Sequence, residues 1–151
     1  MKFLAVDPGE DCGWSLWEDN KLVTASTTKM WTFPFIVWSA LTGDDSLCPE
    51  GWEAERDMMV GIEKIVCEDF RIYPDKAKDL AWDEVRTARL IGALTFIAML
   101  HGLEFVLQGA FIKNQAKAAG AEELFYKPVY ENRHQNDSIM HGWFYLQMAN
   151  N

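Results

Sequence analysis

The apolar positions of this chain fall into short unbroken runs that end in acid, and into longer stretches of helical period. Phe3-Leu4-Ala5-Val6 runs into Asp7, and Pro8-Gly9 then stops the segment. An unbroken run of that kind predicts a buried strand over residues 2–7. Residues 13–18 and 21–28 predict the arms of a hairpin that turns at Glu18-Asp19-Asn20-Lys21. Val23, Ala25 and Thr27 would alternate on one face of its second arm. Ile65-Val66-Cys67 leads into Glu68-Asp69, a second buried strand within 62–70 that also ends in acid. Strand alternation puts Glu68 and Asp69 on opposite faces. Leu103 to Leu107 predicts one more short strand.

The clearest helix runs from Asp83 to Leu100, with Asp83 and Glu84 at its amino end, where the helix dipole favours negative charge. Its second half, Leu90 to Leu100, is apolar nearly all round. That predicts burial on more than one side, either wholly inside or between a core and another subunit. Phe111 to Ala119 reads as a helix with Lys113 and Lys117 on one face. A short helical piece over Ala121–Tyr126 and a last helix over Asn132–Met148 follow. Between the hairpin and the second acid-ended strand the pattern is mixed: a short helix over Pro34–Leu41, a loop over 42–51, and a helix over Trp52–Val60 that Gly61 ends. Pro74 to Leu80 reads as a polar link. The order predicts an α/β domain with a mixed sheet, an antiparallel hairpin followed by strand–helix–strand units.

Composition narrows the class. A chain of 151 residues, 49% apolar and 25% charged, fits one soluble globular domain over 1–151. Seven tryptophans and nine phenylalanines imply a heavily aromatic core, or an apolar face kept for a partner. The amino end has no signal-peptide pattern, and no apolar stretch is long enough to span a bilayer. Cys12, Cys48 and Cys67 form neither a zinc pattern nor a disulfide framework, which fits a reducing cytoplasm. The net charge of −9 lies entirely in residues 1–70, with 14 acidic against 5 basic side chains; residues 71–151 hold 9 of each. A strongly acidic protein is a poor generic nucleic-acid binder. A nucleic-acid substrate would need a local basic surface, or metal ions that neutralise a carboxylate cluster.

Such a cluster can be assembled from the sequence. If the strands ending at Asp7 and Glu68 are neighbours, their carboxylates emerge at one sheet edge. The last helix adds His134 and Asp137 at i, i+3, and His141 at i+7, on one face. Clustered carboxylates repel unless a cation offsets them. Oxygen ligands suit Mg²⁺ or Mn²⁺, and a histidine tilts the choice toward Mn²⁺. Two such ions about 4 Å apart activate water and stabilise the leaving oxygen in phosphodiester cleavage.

These residues resemble the RuvC-type Holliday junction resolvases, within the RNase H-like nucleases. The resemblance rests on Leu4-Ala5-Val6-Asp7-Pro8-Gly9 with Gly13 and Trp14, on Val66-Cys67-Glu68-Asp69, and on His134-Gln135-Asn136-Asp137-Ser138. It runs over nearly the whole chain, and the compact length and divergent middle look like a bacteriophage version. It implies an RNase H-like mixed five-stranded sheet flanked by helices. It also implies catalytic and metal-binding roles for Asp7, Glu68, His134 and Asp137, two Mg²⁺ or Mn²⁺ ions, a four-way DNA junction as substrate, and a homodimer in the cytoplasm, that of the host if phage-encoded. His134 is either a ligand or the group that deprotonates the attacking water. Lys113 and Lys117 stand as candidate DNA contacts. The chain departs from the family in its sparse basic surface.

Plainer readings stand beside these. Asp7 alone would serve as a turn cap at Pro8-Gly9. His134 would serve as a solvated first-turn residue, His141 as a plain helix histidine, and Arg86 with Arg89 as a solvated face. Trp31, Phe33, Phe35 and Trp38 fit core packing better than base stacking. Two rival functions remain: a YqgF-like RNA nuclease of the same fold, and a non-catalytic DNA-binding or assembly protein.

Overall fold

The computed structural model describes residues 1–70 and 82–149. Five strands and five helices follow in the order β1 (Lys2–Asp7), β2 (Asp11–Glu18), β3 (Lys21–Lys29), α1 (Phe33–Thr42), α2 (Glu53–Met59), β4 (Lys64–Asp69), α3 (Trp82–His101), β5 (Glu104–Gly109), α4 (Ile112–Ala118) and α5 (Arg133–Ala149). The piece expected to be helical after residue 120 is a 3-10 turn, Ala121–Leu124. The expected polar link from Pro74 to Leu80 lies outside the described residues.

One sheet runs β3-β2-β1-β4-β5. β1 pairs antiparallel with β2 and parallel with β4, and β4 pairs parallel with β5. The apolar run of β1 is unbroken because both faces are covered. Leu4 and Val6 pack with Trp14, Phe33, Ile36 and Leu94 beneath α1 and α3. Phe3 and Ala5 pack with Trp17, Val66, Ile139 and Leu146 beneath α5. The buried indoles are paired rather than stranded: Trp14 Nε1–H donates to Thr28 Oγ1 at 2.9 Å, and Trp17 Nε1–H to Ser15 Oγ at 2.9 Å. Truncating Trp14 to alanine would cost about 3–5 kcal/mol in lost burial and cavity.

One sequence expectation is corrected and one is narrowed. Val23 does not share a face with Ala25. The β2–β3 register slips between Leu16 and Trp17, which face Thr24 and Leu22, so Val23 is the extra residue of a bulge and is 46% exposed. Helix α3 is not wholly inside. Leu90, Leu94, Ile97 and Ala98 form one buried stripe, while Phe96, Met99 and Leu100 are exposed. α1 begins with Pro34 in its first turn and ends on Gly43, whose φ of 71° lets its N–H reach the Ser39 carbonyl at 2.9 Å. Its buried residues Phe33, Ile36, Val37 and Ala40 carry the helical spacing that seats it on the sheet.

Candidate active site

The parallel registers of β1, β4 and β5 bring their carboxyl ends to one edge of the sheet. Alternation decides which side chains there face α5. Phe3, Ala5, Val66 and Val106 lie on the α5 side, so Asp7, Glu68 and Gln108, two residues further along their strands, lie on that side too. Val6 pairs with Cys67, and Glu68 pairs with Gln108. The result is a row of two carboxylates and one carboxamide across three strands. Cys12 and Cys67 belong to the opposite cluster. Burial pushes both thiols well up, which keeps them protonated and poor as thiolate ligands.

Helix α5 lies over this row because β2 gives it room. Gly13, paired with Asp7 in the β1–β2 ladder, meets the His134 backbone so closely that a Cβ there would overlap its carbonyl. Gly142 meets the Trp17 indole in the same way. Two glycines, one against a main chain and one against an indole, therefore set the height of the helix. His134 Nδ1 then lies 3.2 Å from Asp7 Oδ2. Further in, His141 is fully buried, with Nε2 at 2.9 Å from Glu68 Oε2 and Nδ1 at 2.9 Å from Gln108 Oε1.

Helix α4 closes the site with a cation. Lys113 Nζ stands 2.7 Å from Asp7 Oδ1, 2.6 Å from Glu68 Oε2 and 3.1 Å from Asp137 Oδ2. Burial alone would raise the Asp7 carboxyl. The His134 hydrogen bond and the Lys113 charge outweigh it and bring the group down to about 2. Burial pulls the Lys113 ammonium down, but Asp7 and Glu68 push it above its ordinary value. The hydrogen bond to Asp7 raises His134, and burial opposes it only in part.

Asp7, Glu68, His134 and Asp137 thus lie in one cluster joined by direct contacts. Lys113 turns into that cluster and does not lie on an open phosphate-binding face. Lys117 stays outside, half-exposed and 3.3 Å from Glu122. Among the aromatics, Phe33 is core, whereas Trp31 and Phe35 are exposed. Arg86 pairs with Glu10 at 3.1 Å. Sequence reasoning treated His141 as a plain helix residue and missed Gln108. The only signal for either was register: Gln108 stands beside Glu68 on the next strand, and the i+7 position carries His141 onto that row.

The donor set fits a hard divalent cation. Asp7 and Glu68 offer carboxylate oxygens, and a ring nitrogen of His141, itself engaged by Glu68, lies within 4.8 Å of both. Oxygen donors with one imidazole suit Mg²⁺ or Mn²⁺. The ammonium against three carboxylates shows independently that the cluster draws a positive charge.

No family model and no curated protein matches the chain. Solved structures do. Thermus thermophilus RuvC in complex with a Holliday junction substrate superposes with a TM-score of 0.61 over 98% of this chain and 96% of that chain, at 16% sequence identity. A second Thermus thermophilus RuvC structure gives 0.59 over 99% and 97%, at 15% identity. The chain has the RuvC-type, RNase H-like fold. At this identity the RuvC likeness is one of architecture.

Proposed function

We propose that the chain is a metal-dependent endonuclease that cuts branched DNA, most simply a four-way junction, as a homodimer. The observation that supports it is the convergence of Asp7, Glu68 and Asp137, from β1, β4 and α5, on the position of one cation, Lys113 Nζ. The Holliday junction held by the Thermus RuvC neighbour supports the choice of substrate.

Asp7, Glu68 and Asp137, with His134 at the rim, would hold Mg²⁺ or Mn²⁺. When bound, such ions supply an activated water and neutralise charge on the leaving oxygen. Asp7 is poised for that role because its carboxyl stays ionised down to about pH 2. The His134 ring is 42% exposed, and its Nδ1 is committed to Asp7. Donation from Nδ1–H to the carboxylate makes Nε2 the basic nitrogen, suited to take a proton from an attacking water.

The dimer reading rests on the uncovered face of α1 and α3. Phe35, Trp38, Ala93 and Phe96 line an apolar groove there of about 450 Å³. Phe96, Met99 and Leu100 stand exposed beside it. A two-fold substrate with two strands to cut matches a two-fold protein. No helix among the described residues is long and apolar enough to cross a membrane, so that face is not read as a span.

The deciding experiment is cleavage of a synthetic four-way junction in Mg²⁺ or Mn²⁺. The parental chain should nick it, and Asp7→Asn should lose at least about 10³-fold in rate while keeping junction affinity. Equal rates for the two would sink the assignment. A second reading, a non-catalytic DNA-binding protein, draws on the same Lys113 contacts, since the ammonium already offsets the carboxylates. Calorimetric titration with Mn²⁺ separates the two, because that reading expects no binding.

A further inference from the structure

We propose that His141, braced by Gln108, is a positioning residue for Glu68. It is a part of the site that the four expected ligands do not include. The proposal rests on the nuclease reading only for its effect on turnover.

His141 is fully buried, and both ring nitrogens are engaged. Nε2 lies 2.9 Å from Glu68 Oε2, the same oxygen that receives the Lys113 ammonium at 2.6 Å. A proton on that oxygen is disfavoured beside the ammonium, so the hydrogen in the His141–Glu68 contact belongs to Nε2. The carboxamide of Gln108 occupies Nδ1. With its oxygen facing the ring, Nδ1–H donates as well. With the amide turned over, its N–H donates to Nδ1 instead. Both arrangements leave Nε2–H directed at Glu68. Glu68 and Gln108 are register partners on β4 and β5, and His141 reaches both from α5. The three residues therefore tie two strand ends to the helix.

The consequence is mechanical. Glu68 is 20% exposed, at the end of a strand, with a flexible side chain. The His141 hydrogen bond selects one rotamer and holds Oε2, the oxygen that also receives the Lys113 ammonium, in the cluster. Partners that orient a ligand typically account for about 10–100-fold in metal affinity or activity when removed.

The test compares His141→Leu, His141→Gln and Gln108→Leu. Gln at 141 keeps an N–H donor near the Nε2 position, and Leu does not. Mn²⁺ affinity by calorimetry and junction turnover should fall about 10–100-fold in His141→Leu. Both should recover to within about 5-fold of parental in His141→Gln, and junction affinity should not change. Gln108→Leu, which spares the histidine, should give an intermediate loss. In the metal-free parental chain, long-range ¹H–¹⁵N spectra should show a slowly exchanging Nε2–H on His141 that shifts in Glu68→Gln. Absence of that resonance overturns the proposal whether or not the chain proves to be a nuclease. Equal damage from Leu and Gln in folded protein overturns it too. So does nitrogen modulation in the electron spin echo of bound Mn²⁺ in a His134→Gln background, since His141 would then be a ligand. A parental chain that neither binds Mn²⁺ nor cuts junctions, yet shows the resonance, removes the nuclease reading and leaves the positioning contact standing.

Discussion

Gly13 and His134 touch backbone to backbone, and that contact sets the position of α5 over the carboxylate end of β1. Any side chain at 13 would push the helix off the strand that carries Asp7. Gly13→Ala should therefore cost about 2 kcal/mol or more in stability through overpacking, with a loss of junction cleavage larger than the stability loss explains. Gly142→Ala should cost a similar amount by pressing on Trp17, but further from Asp7. Urea unfolding and cleavage rates measured side by side check the pair. Equal activity losses at equal stability would sink the idea that Gly13 has a special role.

Removing the resident ammonium should expose the repulsion it offsets. Lys113→Met leaves Asp7, Glu68 and Asp137 facing one another in a partly buried site. The metal-free variant should lose about 2 kcal/mol at pH 7, and less near pH 4, where carboxyl protonation relieves the repulsion. Millimolar Mn²⁺ should raise the melting temperature of the variant more than that of the parent. Thermal melts with and without the ion, at the two pH values, test this.

Acid stability should carry the signature of Asp7. Its folded carboxyl is held near 2 against an ordinary 3.8. A lowered folded value means the unfolded chain takes up the proton first as pH falls. The stabilisation is present above about pH 4 and is lost as pH drops toward 2. It amounts to about 2 kcal/mol. Urea midpoints between pH 5 and 2 should fall steeply for the parent and less steeply for Asp7→Asn. His134 acts in the opposite sense. Its value is raised, so its contribution is complete below its ordinary 6.5 and fades as pH climbs through the folded value. His134→Gln should flatten the alkaline side of the same profile.

The uncovered α3 face gives a prediction independent of the chemistry. Phe96 is 57% exposed and Met99 75%, so charge there should not harm the fold of one protomer. Phe96→Glu with Met99→Glu should convert a dimer to monomers in sedimentation velocity and leave the melting temperature of the monomer within a few degrees. A parental chain that sediments as a monomer at tens of micromolar would remove the dimer from the proposal.

The sequence exposed those parts of the site that periodicity governs. Asp7 and Glu68 were visible because apolar runs end on them, and period two separated Glu68 from Asp69. His134 and Asp137 were visible because a three-residue step keeps one helix face. Neighbour relations between elements were not visible. Nothing local distinguishes Lys113 from Lys117, yet one lies among carboxylates and the other pairs with Glu122. His141 could be valued only once β4 and β5 were in register. The α3 run left two readings open for a different reason: an all-apolar helix carries no record of which face the protomer itself covers. Val23 failed because a bulge breaks the parity on which alternation depends.

The glycine seat of α5 has a consequence for how this protein can diverge. The separation between Asp7 and the helix is held by main-chain contact at Gly13, by ladder hydrogen bonds in β1 and by Phe3, Ala5 and Trp17 packed against Ile139 and Leu146. The aromatic packing beneath α1 and α3 lies on the opposite face of the sheet from that seat. Selection on the reaction would therefore bear chiefly on the α5 side of the sheet, and the side covered by α1 and α3 is freer to drift.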